Sequence, residues 1–258
     1  MDIGMKGKRV VVTAGAQGIG CAITEAFVAA GAQVHICDVN TEFLANAGRH
    51  FPSVSQSHTD VSNPGDVDAM FDALKARWGA LDVLVNNAGI AGPTAKVEET
   101  DIGEWQRTIA VNLTGTFLCA RRAVPLLKAA GGGSIVNISS MAGKLGFPLR
   151  TAYSASKFGV VGLSQTWAME LGPAGIRVNA ILPGIVAGER QERVIAAKAA
   201  SYGIDHEAMR ERLLSKVSLR KMVTAEDIAN QILFICSPAG ASLSGQSLAV
   251  CGNVEHLG

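Results

Sequence analysis

Residues 8–20 read KRVVVTAGAQGIG: a run of β-branched residues, then a turn punctuated by Gly15, Gly18 and Gly20. A continuous apolar run suits a strand covered on both faces, and glycines at the mouth of a following helix (Ile19 to Ala30) let the backbone pass close to a pyrophosphate. Working outward, the same unit recurs. AQVHICD precedes a helical stretch from Thr41 to Arg49, SVSQSHTD one from Pro64 to Trp78, LDVLVNNAG one from Ile102 to Ala130, and GSIVNIS one from Ala152 to Leu171. IRVNAIL, a helical segment from Ala225 to Ser237, and SLAVCG complete the series. Alternation of this kind calls for right-handed crossovers, so the expected fold class is α/β: a doubly wound Rossmann fold with a parallel sheet of about seven strands and helices on both faces. No Pro-, Ser- or charge-rich linker divides the chain, which predicts one domain over 1–258. The polar, charge-dense stretch 187–221 breaks the rhythm and reads as a substrate lid inserted after a strand.

Composition narrows the function. Hydrophobic residues make up 48% of the 258 and charged ones only 17%, enough apolar material for a sizeable core. A net charge of +1, with no cationic run, argues against nucleic acid as a partner. The five cysteines are odd in number and form no C-x-x-C pair, which fits isolated thiols in a reducing compartment. No apolar leader opens the sequence and no eighteen apolar residues run together, so the expectation is a cytoplasmic protein without a membrane segment. H-E-x-x-H, G-x-S-x-G and the Walker loop are absent, and the five histidines show no metal-ligand spacing; no metal is expected.

The first turn is read as a dinucleotide site. Gly15, Gln17, Gly18, Ile19 and Gly20 would bring backbone N–H groups and the positive end of a helix dipole to the pyrophosphate. Asp38 ends the second apolar run at the spacing where a carboxylate bonds the adenosine ribose hydroxyls, and it would repel a 2′-phosphate. The predicted cofactor is therefore NAD. The competing reading of Asp38 is a turn cap ahead of Thr41.

Residues 153–157 read YSASK. Residues four apart share a helical face, so Lys157 can meet Tyr153. A fixed ammonium at ~4 Å, with an effective dielectric of ~20, contributes roughly 4 kcal/mol, which would make a phenol a working acid or base near neutrality. The alternative is a surface tyrosine covered by a lysine stem.

TAGAQGIG, NNAG at Asn86 to Gly89, ISS ending at Ser140, YSASK, and LPG at Leu182 to Gly184 together resemble, in order and spacing, the short-chain dehydrogenase/reductase family over essentially the whole chain. The resemblance implies hydride transfer between a nicotinamide cofactor and an alcohol or ketone. It makes Tyr153 the general acid/base, Lys157 the residue that bonds the nicotinamide ribose, and Ser140 the one that holds the substrate oxygen. Asn112 matches the asparagine that helps hold a relay water. Asn87, Ala88 and Gly89 match the turn beside the adenosine ribose, Asp60 and Val61 the adenine contacts, and Pro183, Gly184 and Val186 the segment against the nicotinamide. A homotetramer is also implied. Two positions depart from the pattern: Ala14 stands where glycine is usual, and Gly188 where a threonine often bonds the carboxamide, a task the backbone near Ile185 and Val186 would then take.

For the substrate, Lys144, Arg150, Arg190 and Arg193 fall in segments that should line the cleft, and could grip an anionic group of a sugar acid or hydroxy acid, or simply be solvated charges. The leading expectation is a dehydrogenase of a small polyol, sugar acid or hydroxy acid. The alternatives are a 3-oxoacyl reductase and a catalytically idle NAD-binding protein.

Overall fold

Strand β1 (Arg9–Thr13) turns Val10 and Val12 into one apolar core and Val11 into another on the opposite face, the period-two alternation of a strand with a helical layer on each side. The computed structural model describes residues 3–257, apart from the side chains of residues 190, 197, 198 and 201. It contains β2 (Gln33–Asp38), β3 (Ser55–His58), β4 (Val83–Asn86), β5 (Gly133–Ile138), β6 (Ile176–Pro183) and β7 (Ser247–Val250). With β1 they form one seven-stranded sheet in the order β3-β2-β1-β4-β5-β6-β7, every pairing parallel. The sequence-derived fold class is thus the observed one.

One face is covered by α1 (Gly18–Ala29), α2 (Thr41–His50) and α9 (Ala225–Cys236), which contribute Ile23, Phe27, Leu44, Ile228 and Ile232 to the core. The other is covered by α3 (Pro64–Trp78), α5 (Gly115–Ala129) and α6 (Thr151–Leu171), through Phe71, Leu74, Leu127 and Trp167. Each such side chain, fully buried, stabilises the fold by about 1.5–3 kcal/mol. Local chemistry marks the boundaries. Asn63 caps α3 by accepting from the N–H groups of Gly65 and Asp66, Pro64 occupies its first turn, and Gly79 ends it in the left-handed conformation. Asn40 caps α2 in the same way, and Thr224 with Asp227 forms a capping box on α9.

The single long helix expected from Ile102 to Ala130 is instead two, α4 (Ile102–Ile109) and α5, joined through one π-helical turn at Ala110–Thr114. The extra residue in that turn is accommodated because buried Asn112 bonds outside its own helix. Residues 187–221 fold into α7 (Glu189–Tyr202) and α8 (His206–Leu214), separated by left-handed Gly203. Ile195, Ala199, Met209 and Met222 form a small core of their own, and Glu192 pairs with Arg210 at 3.0 Å and His206 at 3.2 Å. No helix among the described residues is long and apolar enough to cross a membrane.

The strand order sets the site. From β1 the chain winds outward through β2 and β3, then returns to the other side of β1 as β4, leaving a crevice beyond the C-terminal ends of β1 and β4.

Candidate active site

The phosphate-loop region is held by backbone and amide bonds. Thr13 Oγ1, at the end of β1, accepts the N–H groups of Asn87 and Ala88, both at 2.9 Å. Asn87 Nδ2 in turn donates to the carbonyls of Thr13 and Ala14 at 3.0 and 3.1 Å. Asn87 therefore fastens the turn after β4 to the loop after β1. A Cβ at Gly20 would lie 2.0 Å from the Ala14 carbonyl oxygen, and one at Gly15 2.6 Å from Ile36, so these two glycines are required by close approach. Gly18 has φ +54. Ala14 itself adopts φ +48, carrying its methyl in a conformation that glycine takes at no cost. Gln17 precedes α1 without capping it, and the first turn holds no acidic residue, so the helix N-terminus behind Ile19 keeps its positive end for an anion.

Asp38 is buried at the end of β2. Its Oδ1 accepts the N–H of Asn40 at 3.0 Å, and its Oδ2 has no partner among the described residues. The turn-capping reading thus accounts for one oxygen and leaves the other for a hydroxyl. Asp60 bonds the N–H and hydroxyl of Ser62 at 2.9 and 2.7 Å, so its side chain shapes the turn after β3, while Val61 is buried against Gly115.

Helix α6 brings in the titratable groups. Lys157 is buried, its Nζ donating to the Ile138 carbonyl of β5 at 2.9 Å and lying 5.7 Å from the Tyr153 ring centroid. No direct hydrogen bond joins the ammonium to the phenol, so the charge acts at longer range than the sequence-based contact of ~4 Å. Desolvation lowers the Lys157 pKa, opposed by its attraction to Tyr153. Ser139 Oγ donates to the Lys157 carbonyl at 2.8 Å, locking α6 to the end of β5, where Ser140 Oγ accepts the Ala142 N–H at 3.1 Å. A Cβ on Gly89 would lie 3.3 Å from both Lys157 Nζ and Asn112 Oδ1.

Asn112 is buried and its side-chain amide ties two segments together. Its Oδ1 accepts the Ile90 N–H at 2.8 Å, and its Nδ2 donates to the Ile90 carbonyl and to Ser156 Oγ, each at 3.0 Å. Both amide hydrogens are spent on clasping the loop after β4 to α6. Sequence reasoning missed this clasp, along with Thr13, Ser139 and Ser156. Small polar residues at strand ends and on an inward helix face were the signal available.

After β6, Pro183 is buried and Gly184 packs on Cys251, where a Cβ would come within 2.7 Å. Val223 accepts from Ala187 and donates to Ile185, pinning the segment while the Val186 N–H stays outside that pairing. Gly188 has φ +144 with open space around it; a threonine there would be strained by its backbone. Of the four candidate substrate cations, Lys144 and Arg193 are exposed, Arg190's side chain lies outside the described residues, and Arg150 is half-buried beside Tyr153. No group of three or more His, Cys, Asp or Glu placed to hold a metal ion occurs among the described residues.

The loop after β1, Asp38, the turn after β4, Ser140, Tyr153, Lys157 and the end of β6 thus surround one crevice. A family model described as enoyl-(acyl carrier protein) reductase matches residues 13–253. A trans-4-hydroxycyclohexanecarboxylate dehydrogenase from Sinomonas cyclohexanicum is 38% identical over 257 residues, covering 95% of this chain and 92% of the relative. Among solved structures, NAD+-bound xylitol dehydrogenase superposes with a TM-score of 0.91 at 28% identity, over 97% of this chain and all of that one (100%). L-sorbose reductase from Gluconobacter frateurii, with NADPH and L-sorbose, gives 0.93 at 28% identity over 98% of each chain. Matches that run nearly end to end, on a sheet whose strand order already dictates a nucleotide crevice, make this chain a member of the short-chain dehydrogenase/reductase family of oxidoreductases.

Proposed function

We propose that this chain is an NAD-dependent dehydrogenase that interconverts a secondary alcohol and a ketone, with Tyr153 as general acid/base. The observation that carries the reading is buried Lys157, fixed on the Ile138 carbonyl beneath the ring of Tyr153, with Ser140 at the end of the same strand. The residues present fit NAD: the unpartnered Asp38 Oδ2 suits a ribose hydroxyl, and the Gly15 and Gly20 turn leads to an uncapped helix N-terminus. When bound, NAD supplies the acceptor for the hydride. In oxidation Tyr153 Oη takes the proton of the alcohol. Ser140 Oγ, already accepting from Ala142, turns its own hydrogen to the substrate oxygen. Lys157 uses one N–H on Ile138 and offers its others to the nicotinamide ribose. Asn112 positions this apparatus through Ile90 and Ser156. Asp60 and Val61 would hold the adenine, Pro183 and Gly184 the nicotinamide, and the Val186 N–H the carboxamide in place of the missing threonine. Helices α7 and α8 form the lid.

The relatives support a small polar substrate: one acts on a hydroxy acid and the solved neighbours on a polyol and a sugar. A second reading, an NADPH-dependent 3-oxoacyl reductase, draws on the reductase description of the family model and the NADPH in L-sorbose reductase. Asp38 argues against it by charge. All three of Ser140, Tyr153 and Lys157 are in place, which disfavours an idle binding protein. The deciding experiment is NADH formation at alkaline pH across polyols, sugar acids and hydroxy acids, with NADP in parallel. Turnover with NAD supports the proposal; turnover with NADP alone, or only reduction of 3-oxoacyl compounds by NADPH, overturns it. The same family reading makes the chain a homotetramer, supported by an apolar groove between α5 and α6 lined by Leu113, Phe117 and Leu163.

A further inference from the structure

We propose that residues 252–257, the segment after β7, form a strap that seats the base of the lid against the turn carrying Ser140, with Gly252 and Val254 as positioning residues for the substrate cleft. The part that concerns substrate rests on the dehydrogenase reading above. Helix α8 ends at Leu214, and the chain that follows it runs beside this segment. Val217 and Val254 pair as an antiparallel bridge. The Glu255 N–H donates to the Lys216 carbonyl at 2.9 Å and the Ser218 N–H to the Asn253 carbonyl at 3.0 Å, the two bonds that frame such a pair. The Leu219 N–H adds a third, to the Gly252 carbonyl at 3.1 Å. One hydroxyl closes the pairing: Ser218 Oγ accepts from Asn253 Nδ2 at 2.7 Å and donates to Glu255 Oε1 at 2.9 Å.

The segment is shaped for this contact. Gly252 and Asn253 are consecutive left-handed residues, φ +62 and +60, and glycine and asparagine take that conformation most readily. The reversal brings the backbone so near the lid base that a Cβ at Gly252 would lie 3.0 Å from Val217 Cγ1. It also reaches the floor of the crevice. Val217 and Val254 are buried in one apolar cluster with Leu182, Cys251 and Met141, the residue that directly follows Ser140, and Leu257 packs on the same cluster. The Gly184 N–H donates to the Val250 carbonyl at 3.0 Å, so the strap begins beside the end of β6. The lid has a second anchor, where Val223 bonds Ile185 and Ala187. Because α7 and α8 share a small core of their own, they move as a unit, and their angle over Ser140 is set by their anchors. A body held at two separated points keeps that angle; released at one, it swings.

The test sets Val254→Ala and Gly252→Ala beside Val34→Ala, an equal truncation in the core at the start of β2, away from Asp38. The first variant empties space between the lid base and Met141, and the second drives a methyl against Val217. Both should speed trypsin cleavage after Arg210 and Arg212 of the folded full chain by about tenfold. KM for the best-used of 3-hydroxybutyrate, 4-hydroxycyclohexanecarboxylate and xylitol should rise about fivefold or more, while kcat and NAD affinity stay within about twofold. Val34→Ala should lower the urea midpoint with neither effect. Lid cleavage unchanged in both strap variants overturns the proposal, and faster cleavage with an unchanged KM overturns the positioning role. A KM shift of the same size in Val34→Ala also overturns it, since lost stability alone then accounts for the effect. Strap-dependent cleavage in a chain that binds NAD but oxidises no alcohol keeps the strap and removes the dehydrogenase reading.

Discussion

The proposed proton transfer needs a phenol hydroxyl that a phenyl ring lacks, which makes Tyr153 the sharpest test at the scale of one residue. Tyr153→Phe should lower kcat by about 10²–10⁴-fold while NAD affinity, followed by fluorescence titration, changes little; comparable turnover would remove Tyr153 from the proton path. Asp38 carries the parallel claim for the cofactor. Its Oδ2 is buried and unpartnered, so Asp38→Ala should weaken NAD binding by about 1.5–3 kcal/mol while relieving repulsion of a 2′-phosphate. The NAD-to-NADP ratio of kcat/KM should fall by at least tenfold, and an unchanged ratio would refute the ribose contact. The two departures from the family pattern also resolve here. Ala14 and Gly188 both occupy positive-φ backbone: the methyl at Ala14 carries a cost that glycine would avoid, and at Gly188 a β-branched threonine would be strained further.

At the scale of elements, the turn between β1 and α1 depends on how closely a helix approaches a loop. A methyl at Gly20 would lie 2.0 Å from the Ala14 carbonyl and 2.7 Å from Asn87 Nδ2. Gly20→Ala should therefore push α1 off the loop, with a destabilisation of about 1–3 kcal/mol in urea melts and a loss of NAD binding larger than that of Gly18→Ala. A pH effect belongs to the seam between β2 and β3, where His35 bridges Ser55 at 2.9 Å and Ser57 at 3.1 Å and meets the edge of Trp78. Burial, reinforced by Arg77, lowers its pKa from 6.5 to about 4. The unfolded chain binds the proton more readily, so this contribution is fully present above pH 6.5 and is lost as pH falls toward 4, up to about 3 kcal/mol. His35→Gln should flatten the stability profile in that window; an identical acid slope would assign it to other groups. Boundaries such as Pro64–Trp78 were legible in the sequence because Asn63, Pro64 and Gly79 act through their own backbone. The break at Ala110–Thr114 was not, since it coincides with bonds between Asn112 and Ile90, a loop residue more than twenty positions away.

For the molecule as a whole, Phe117 of α5 and Phe158 of α6 are left nearly half exposed, 45% and 47%, and Phe117 lines a groove with Leu113 and Leu163. Trp167, by contrast, is core. The proposed tetramer would cover this groove, whose lining includes Phe117, Leu113 and Leu163. Light scattering after size exclusion should report a tetramer for the native chain and smaller species for Phe158→Asp; a native monomer would remove the assembly. The sequence by itself determined the parallel seven-stranded sheet, because apolar runs of β-branched residues alternating with amphipathic stretches admit few packings. It also placed the loop after β1, Asp38, the turn after β4 and the segment after β6 along one edge, since the C-terminal ends of parallel strands lie on the same side of the sheet. Only the tertiary structure decided what each polar group there is spent on. Asn87 and Asn112 turn out to fasten loops, Lys157 rests on a strand carbonyl, and Arg150 alone among the candidate substrate cations with described side chains is aimed across Tyr153. Those outcomes follow from bonds between segments far apart in the chain, set by the angle of one loop against another, and spacing along a sequence carries no record of that angle.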